Sequence, residues 1–170
     1  MQMKNKKVTV LVLLALFAAL SIVLGKFLQI PIGDSIRISF ENTTLLISGM
    51  LFGPWAGAIT GIVADLLGSV LKGYSINPVI TLGAASIGLI SGFMFRLTAR
   101  KATYVNMLLC VMTSHIIGSV VIKSLGLYLW YSTPLTVLAI RLPVYICIGA
   151  LESYIICLLF KKGVFSRYLL

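Results

Sequence analysis

Six long apolar runs, joined by short polar or glycine- and proline-bearing connections, decide what this chain can fold into. They cover about 8–25, 41–52, 55–71, 79–95, 105–122 and 135–160 of the 170 residues. A bilayer core is spanned by about 20 apolar residues in helical form, so the second run is short for a full crossing and the others suffice. In lipid the backbone must satisfy its own hydrogen bonds, which leaves helices or a closed strand barrel. The runs are continuous rather than alternating, which excludes the barrel. The expectation is an all-α integral membrane bundle of six transmembrane helices, formed as one domain over residues 1–170.

Charge supports that reading. Only 11% of residues are charged and 59% are hydrophobic, where a soluble domain carries roughly a quarter charged residues. The net charge of +10 would point to nucleic acid in a soluble protein. Here the basic residues sit at the ends of apolar runs, where they orient the chain in a bilayer instead. Lys4, Lys6, Lys7, Arg96, Arg100, Lys101, Lys161, Lys162 and Arg167 fall on one side of a six-helix bundle. The positive-inside rule assigns that side, with both termini, to the cytoplasm. The first run follows Lys4-Asn5-Lys6-Lys7 and resembles a signal peptide, but its length and the five runs after it favour an uncleaved first helix.

The remaining cations, Lys26, Arg37, Lys72, Lys123 and Arg141, lie in or just below the opposite loops, where topology asks for no positive charge. Simple solvation or snorkelling accounts for Arg37, Lys72 and Lys123 singly. Arg141 is inside the last run beside Pro143 and must face protein or water, offering a planar fork to a carboxylate. Together the five outline an external vestibule with Asp34, Glu41 and Asp65 as the nearby acids, suited to an anionic ligand. Phe40, Tyr74, Tyr128, Trp130 and Tyr131 stand at the same level. They serve either an interfacial belt or the stacking of a flat ligand.

Asp65 stands alone in the third run, where an unpaired carboxylate costs several kcal/mol. It is either functional or a structural partner for Lys72 or Arg141. Glu152, in the inner half of the last run, is expected to make a bundle-internal hydrogen bond or to meet a partner subunit. Small residues recur at four-residue spacing: Gly53, Gly57 and Gly61; Ala84, Gly88 and Gly92; Ala15 and Ala19. Such stripes let helices approach closely in lipid.

Catalytic patterns are missing. No G-x-x-x-x-G-K-[ST] phosphate loop and no HExxH is present, and Gly83-Ala84-Ala85-Ser86-Ile87-Gly88 is out of register for a nucleophile elbow. His115 is the single histidine and reads as a hydrogen-bonded packing residue; Cys110, Cys147 and Cys157 read as small hydrophobes. The sequon Asn42-Thr43-Thr44 sits at a membrane surface, where glycosylation has no access. No metal site or cofactor is expected.

The segments Arg37-Ile38-Ser39-Phe40-Glu41-Asn42, Leu51-Phe52-Gly53-Pro54, the Asp65 segment, and Tyr74 through Ala84 carry a resemblance to a known family. The chain resembles the substrate-binding S components of energy-coupling factor (ECF) vitamin transporters, and within them the folate-specific branch. Thr43-Thr44 stands where that branch has Leu-Pro. The resemblance implies a plasma-membrane protein that binds folate near its outer face and is not an enzyme. It also implies partners: a membrane coupling (T) subunit docked on Ala15 and Ala19 of the first helix, and two ATPases. Folate is flat and carries two carboxylates. Arg37, Lys123 and Arg141 are the expected carboxylate partners, Asp65 and Asn77 the partners of the pterin edge, and Tyr74, Tyr128 or Trp130 the stacking groups.

Three other readings stay open. The ligand could be another vitamin or a nucleobase-like compound. A membrane enzyme would need two of Asp65, Glu152 and His115 to converge on one cavity, and their different depths argue against it. A solitary ion-coupled transporter would need a polar path through the inner half, where Glu152 and a few hydroxyls are all that is available.

Overall fold

Two glycine–proline and asparagine–proline junctions set the boundaries of the central helices. In the computed structural model, which describes residues 2–32 and 36–165 with side chains for 7–30 and 38–165, Gly53 adopts φ +100° between α2 (Glu41–Phe52) and α3 (Pro54–Leu71). A side chain is strained at that angle, and Pro54 then starts α3 where no amide donor is needed. Asn77 caps α4 (Pro78–Leu97) by accepting from the amides of Val79 at 3.0 Å and Ile80 at 3.3 Å. Such a cap satisfies two of the helix's orphan donors.

The other helices are α1 (Gln2–Ile22), which ends in a π-helical turn at Val23–Phe27, α5 (Tyr104–Ser114), α6 (Lys123–Tyr131) and α7 (Leu135–Lys161). A π-helical stretch, His115–Ile122, joins α5 to α6, so the two form one rod from Tyr104 to Tyr131. The expected loop at 123–134 is therefore helical up to Tyr131, and Lys123 is a mid-rod residue. A short antiparallel hairpin, β1 (Ile30–Ile32) with β2 (Ile36–Ile38), occupies part of the connection that reads as loop in the sequence. Asp34 and the side chains of Lys4, Lys6, Arg37 and Arg167 lie outside the described residues.

Among the described residues six rods thus alternate in direction, and five are long and apolar enough to cross a membrane. The exception is α2, whose 12 residues span about 18 Å against a hydrocarbon core of about 30 Å. Instead it is enclosed by the other rods, with every residue from Asn42 to Leu51 buried. Leu45, Leu46, Ile87, Phe95, Met107 and Ile156 form the core around it. The predicted glycine stripes face one another: a Cβ on Gly57 or Gly88 would collide with the backbone of the other, and one on Gly61 with the backbone of Ala84. Backbone-to-backbone contact of α3 with α4 follows. Leu11, Leu16, Leu67, Leu97 and Leu135 remain exposed, as lipid-facing residues do when the surrounding solvent is apolar.

Candidate ligand-binding site

A cavity of about 630 Å³ opens where the last turns of α1, α3 and α6 meet the first turns of α2, α4 and α7. Alternation of the rods puts Lys7, the Arg96–Lys101 connection and Lys161–Lys162 at the other end, where Phe95 stacks edge-on against Phe160 at 5.4 Å. The cavity therefore lies opposite the basic end of the bundle.

Three cations, Lys26, Lys123 and Arg141, and two acids, Glu41 and Asp65, line it. Lys123 does not snorkel. It is 6% exposed, and its Nζ donates to Glu41 Oε1 at 2.9 Å and to Asn42 Oδ1 at 3.4 Å. Its charge is already balanced by Glu41. Among the described residues Arg141 has no such carboxylate: one terminal nitrogen donates to the Ser119 carbonyl at 3.0 Å. Its guanidinium lies 5.3 Å from the centre of the Tyr145 ring, and its buried Nε has no hydrogen-bond partner among the described residues. A buried charged donor left without an acceptor costs stability.

Asp65 accepts from Thr81 Oγ1 at 2.7 Å instead of pairing with Lys72 or Arg141. Lys72 is spent over the Phe27 ring at 4.4 Å, outside the cavity lining. Lys26 reaches over Tyr74 at 5.7 Å, and Ser75 and Tyr131 share a hydroxyl contact at 3.1 Å.

The structure thus gathers Asp65, Tyr74, Asn77, Lys123 and Arg141 around one cavity. It leaves Tyr128 and Trp130 half-exposed on α6 and outside the lining; Tyr131 takes the inward position. Asn77 lines the wall with its amide fully engaged, as the α4 cap and as donor to the Gly126 carbonyl at 3.1 Å. Its direct contact is structural: it ties α4 to α6. Arg37 has its backbone in β2 and its side chain outside the described residues. Ala15 and Ala19 are exposed together on α1, beside the buried Ala18.

Lys26, Glu41 and Tyr131, which the sequence placed at the vestibule without a ligand contact assigned, line the cavity, and so does Tyr145, which it did not single out. Tyr145 was within reach of the sequence: it follows Arg141 by four residues, one helical turn, which places both on one face.

Glu152 and His115 overturn one sequence argument. Their depths were expected to keep them apart, yet His115 Nε2 meets Glu152 Oε2. Both are at most 1% exposed and neither lines the cavity, so the meeting makes no reaction site.

The family model for the S component of the ECF-type riboflavin transporter matches residues 5–164. The folate transporter FolT of Clostridium novyi (strain NT) is 39% identical over 94 residues, which cover 53% of this chain and 52% of that protein. The aligned part thus spans about half the length of that curated relative. Among solved structures, FolT bound with folic acid superposes with a TM-score of 0.70 at 24% identity, over 85% of this chain and 89% of that one. The S component of a bacterial ECF transporter gives 0.71 at 20% identity over 93% and 96%. The S component for biotin from an ECF-type ABC transporter gives 0.72 at 25% identity over 98% of both chains. At 20 and 24% identity the likeness is one of fold.

Proposed function

The chain belongs to the ECF-type riboflavin transporter S-component family, transport subunits rather than enzymes, and within it we propose that this protein captures folate. The observation that carries the reading is Arg141: a cavity-lining guanidinium with no carboxylate partner among the described residues, beside a tyrosine ring. A folate glutamate would supply a carboxylate to the guanidinium where it lines the cavity, and Lys26 stands on the same cavity as a second cation. Tyr74, Tyr131 and Tyr145 offer faces to the flat rings, and Asp65 keeps an acceptor oxygen for the donor edge of a pterin. The volume of about 630 Å³ fits the range of about 300–1,000 Å³ typical of sites for ligands of drug size. The relative named as a folate transporter, aligned over about half its length, supports the same ligand.

Riboflavin is the second reading, favoured by the family description. It is flat but uncharged, and leaves Arg141 without an anion. The cavity faces outward in this proposal, because the opposite end carries Lys7, Arg96, Arg100, Lys101, Lys161 and Lys162, and positive charge marks the cytoplasmic side. The sequence holds no phosphate loop, so energy comes from separate ATPases through a coupling subunit docked on the Ala15–Ala19 face of α1.

Titration of the purified chain in detergent with folic acid and, in parallel, riboflavin tests the reading. Saturable binding of folic acid with no competition by riboflavin is expected. Binding of riboflavin in preference to folic acid overturns the ligand and leaves the family intact.

A further inference from the structure

Glu152 lies away from the cavity, yet a line of hydrogen bonds leads from it to the cavity cations. One carboxylate oxygen accepts from Thr43 Oγ1 at 2.7 Å and the other meets His115 Nε2. His115 Nδ1 lies 3.2 Å from Ser119 Oγ, which accepts from Asn42 Nδ2 at 3.4 Å. Asn42 Oδ1 in turn accepts from Lys123 Nζ, the ammonium paired with Glu41. Every member from Asn42 to Glu152 is buried, so water does not substitute for a lost partner.

Donor arithmetic sets the direction of this line. An ammonium only donates, so Asn42 must turn its oxygen to Lys123 and its NH₂ to Ser119. With Asn42 Nδ2 donating to its oxygen, the Ser119 hydroxyl can give its single proton to His115 Nδ1, and Nε2 of that tautomer faces Glu152. In that arrangement the bonds between Asn42 and Glu152 run in one direction and polarise one another. Ser119 is the junction: its hydroxyl belongs to this line, and its carbonyl holds the Arg141 guanidinium at 3.0 Å. A second route exists through the His115 ring, 5.3 Å from Tyr145, the ring beneath Arg141.

We infer that Glu152 and His115 are positioning residues for anion capture: through Ser119 they hold the Lys123–Glu41 pair and the Arg141 guanidinium in place on the cavity wall, with Arg141 set to meet a ligand carboxylate. A plain cross-link between α2, the α5–α6 rod and α7 would need no connection to either cavity cation, and this line reaches both. The inference rests on the anionic-ligand reading of the cavity.

The test uses two variants of the whole chain and two ligands. Glu152→Gln keeps the shape and removes the carboxylate charge from the end of the line; Ser119→Ala removes the hydroxyl that links His115 to Asn42, keeps the carbonyl that holds Arg141 and spares the His115–Glu152 contact. Affinities for folic acid and for 6-methylpterin, which has the ring system and no carboxylate, are measured by titration, with the thermal midpoint as a fold control. Both variants are expected to lose about tenfold for folic acid, or about 1.4 kcal/mol, and less than twofold for 6-methylpterin. Equal losses for both ligands, or an unchanged folic acid affinity, overturn the inference. If only Ser119→Ala yields folded protein, its ligand ratio decides. Wild-type protein that binds no folic acid sinks the ligand reading instead, a separate result.

Discussion

Arg141 and Tyr145, one turn apart on α7, stack guanidinium over ring at 5.3 Å, while the buried Nε of the arginine has no partner among the described residues. Stacking holds the fork in place on the cavity wall. A preorganised charged donor gains more from a carboxylate than a mobile one, because less side-chain freedom is lost on binding.

Replacing Arg141 by alanine is therefore expected to weaken folic acid binding by tenfold or more, from loss of a charge-assisted contact of about 1.5–3 kcal/mol. Arg141→Lys, which loses the fork and the stacking, recovers only part. Titration in detergent measures both, and an unchanged dissociation constant removes Arg141 from the site.

Lys123 answers differently, because its partner is in the protein. Lys123→Met strands the Glu41 carboxylate in a largely buried position, at a cost of about 3–5 kcal/mol for a broken buried pair. The double variant Lys123→Met with Glu41→Gln should regain most of the lost thermal midpoint. A double variant no more stable than the single one would refute the pairing as the cause.

Asn77→Ala removes the α4 cap and the tie to Gly126 together. Loss of the cap alone costs about 1 kcal/mol, within a range of about 0.5–2. The expected result is a lower thermal midpoint with folic acid affinity reduced less than in Arg141→Ala. A large affinity loss at unchanged stability would make Asn77 a direct ligand contact.

The Ala15–Ala19 face is exposed and remote from the cavity. Bulky replacements such as Ala15→Trp should leave folic acid binding within twofold and abolish co-purification with the coupling subunit and ATPases. Retained co-purification would place the docking surface elsewhere.

The rods were legible because lipid and water impose opposite demands at each depth. Apolar runs, the Gly53-Pro54 and Asn77-Pro78 junctions, and the facing glycines of α3 and α4 are local signals with local consequences. The helical extension to Tyr131 was hidden because aromatic, polar and glycine residues in 123–131 resemble a loop, while burial of Lys123 against Glu41 makes that rod worth continuing. Tyr128 and Trp130 were misplaced relative to Tyr131 for a related reason: within a helix, each residue turns the side chain by about 100°, so proximity in sequence does not choose the inward face.

The chain alone determined a membrane bundle, its turns, and an excess of cations at one end, since hydropathy and charge along a run depend on nearby residues. Only the tertiary structure decided that Lys123 pairs with Glu41 and that Arg141 meets no carboxylate among the described residues. Glu41 and Lys123 are 82 residues apart, and Thr43 and Glu152 are 109 apart. Whether such groups meet depends on the depth and rotation of separately folded rods, which no local pattern along the chain encodes.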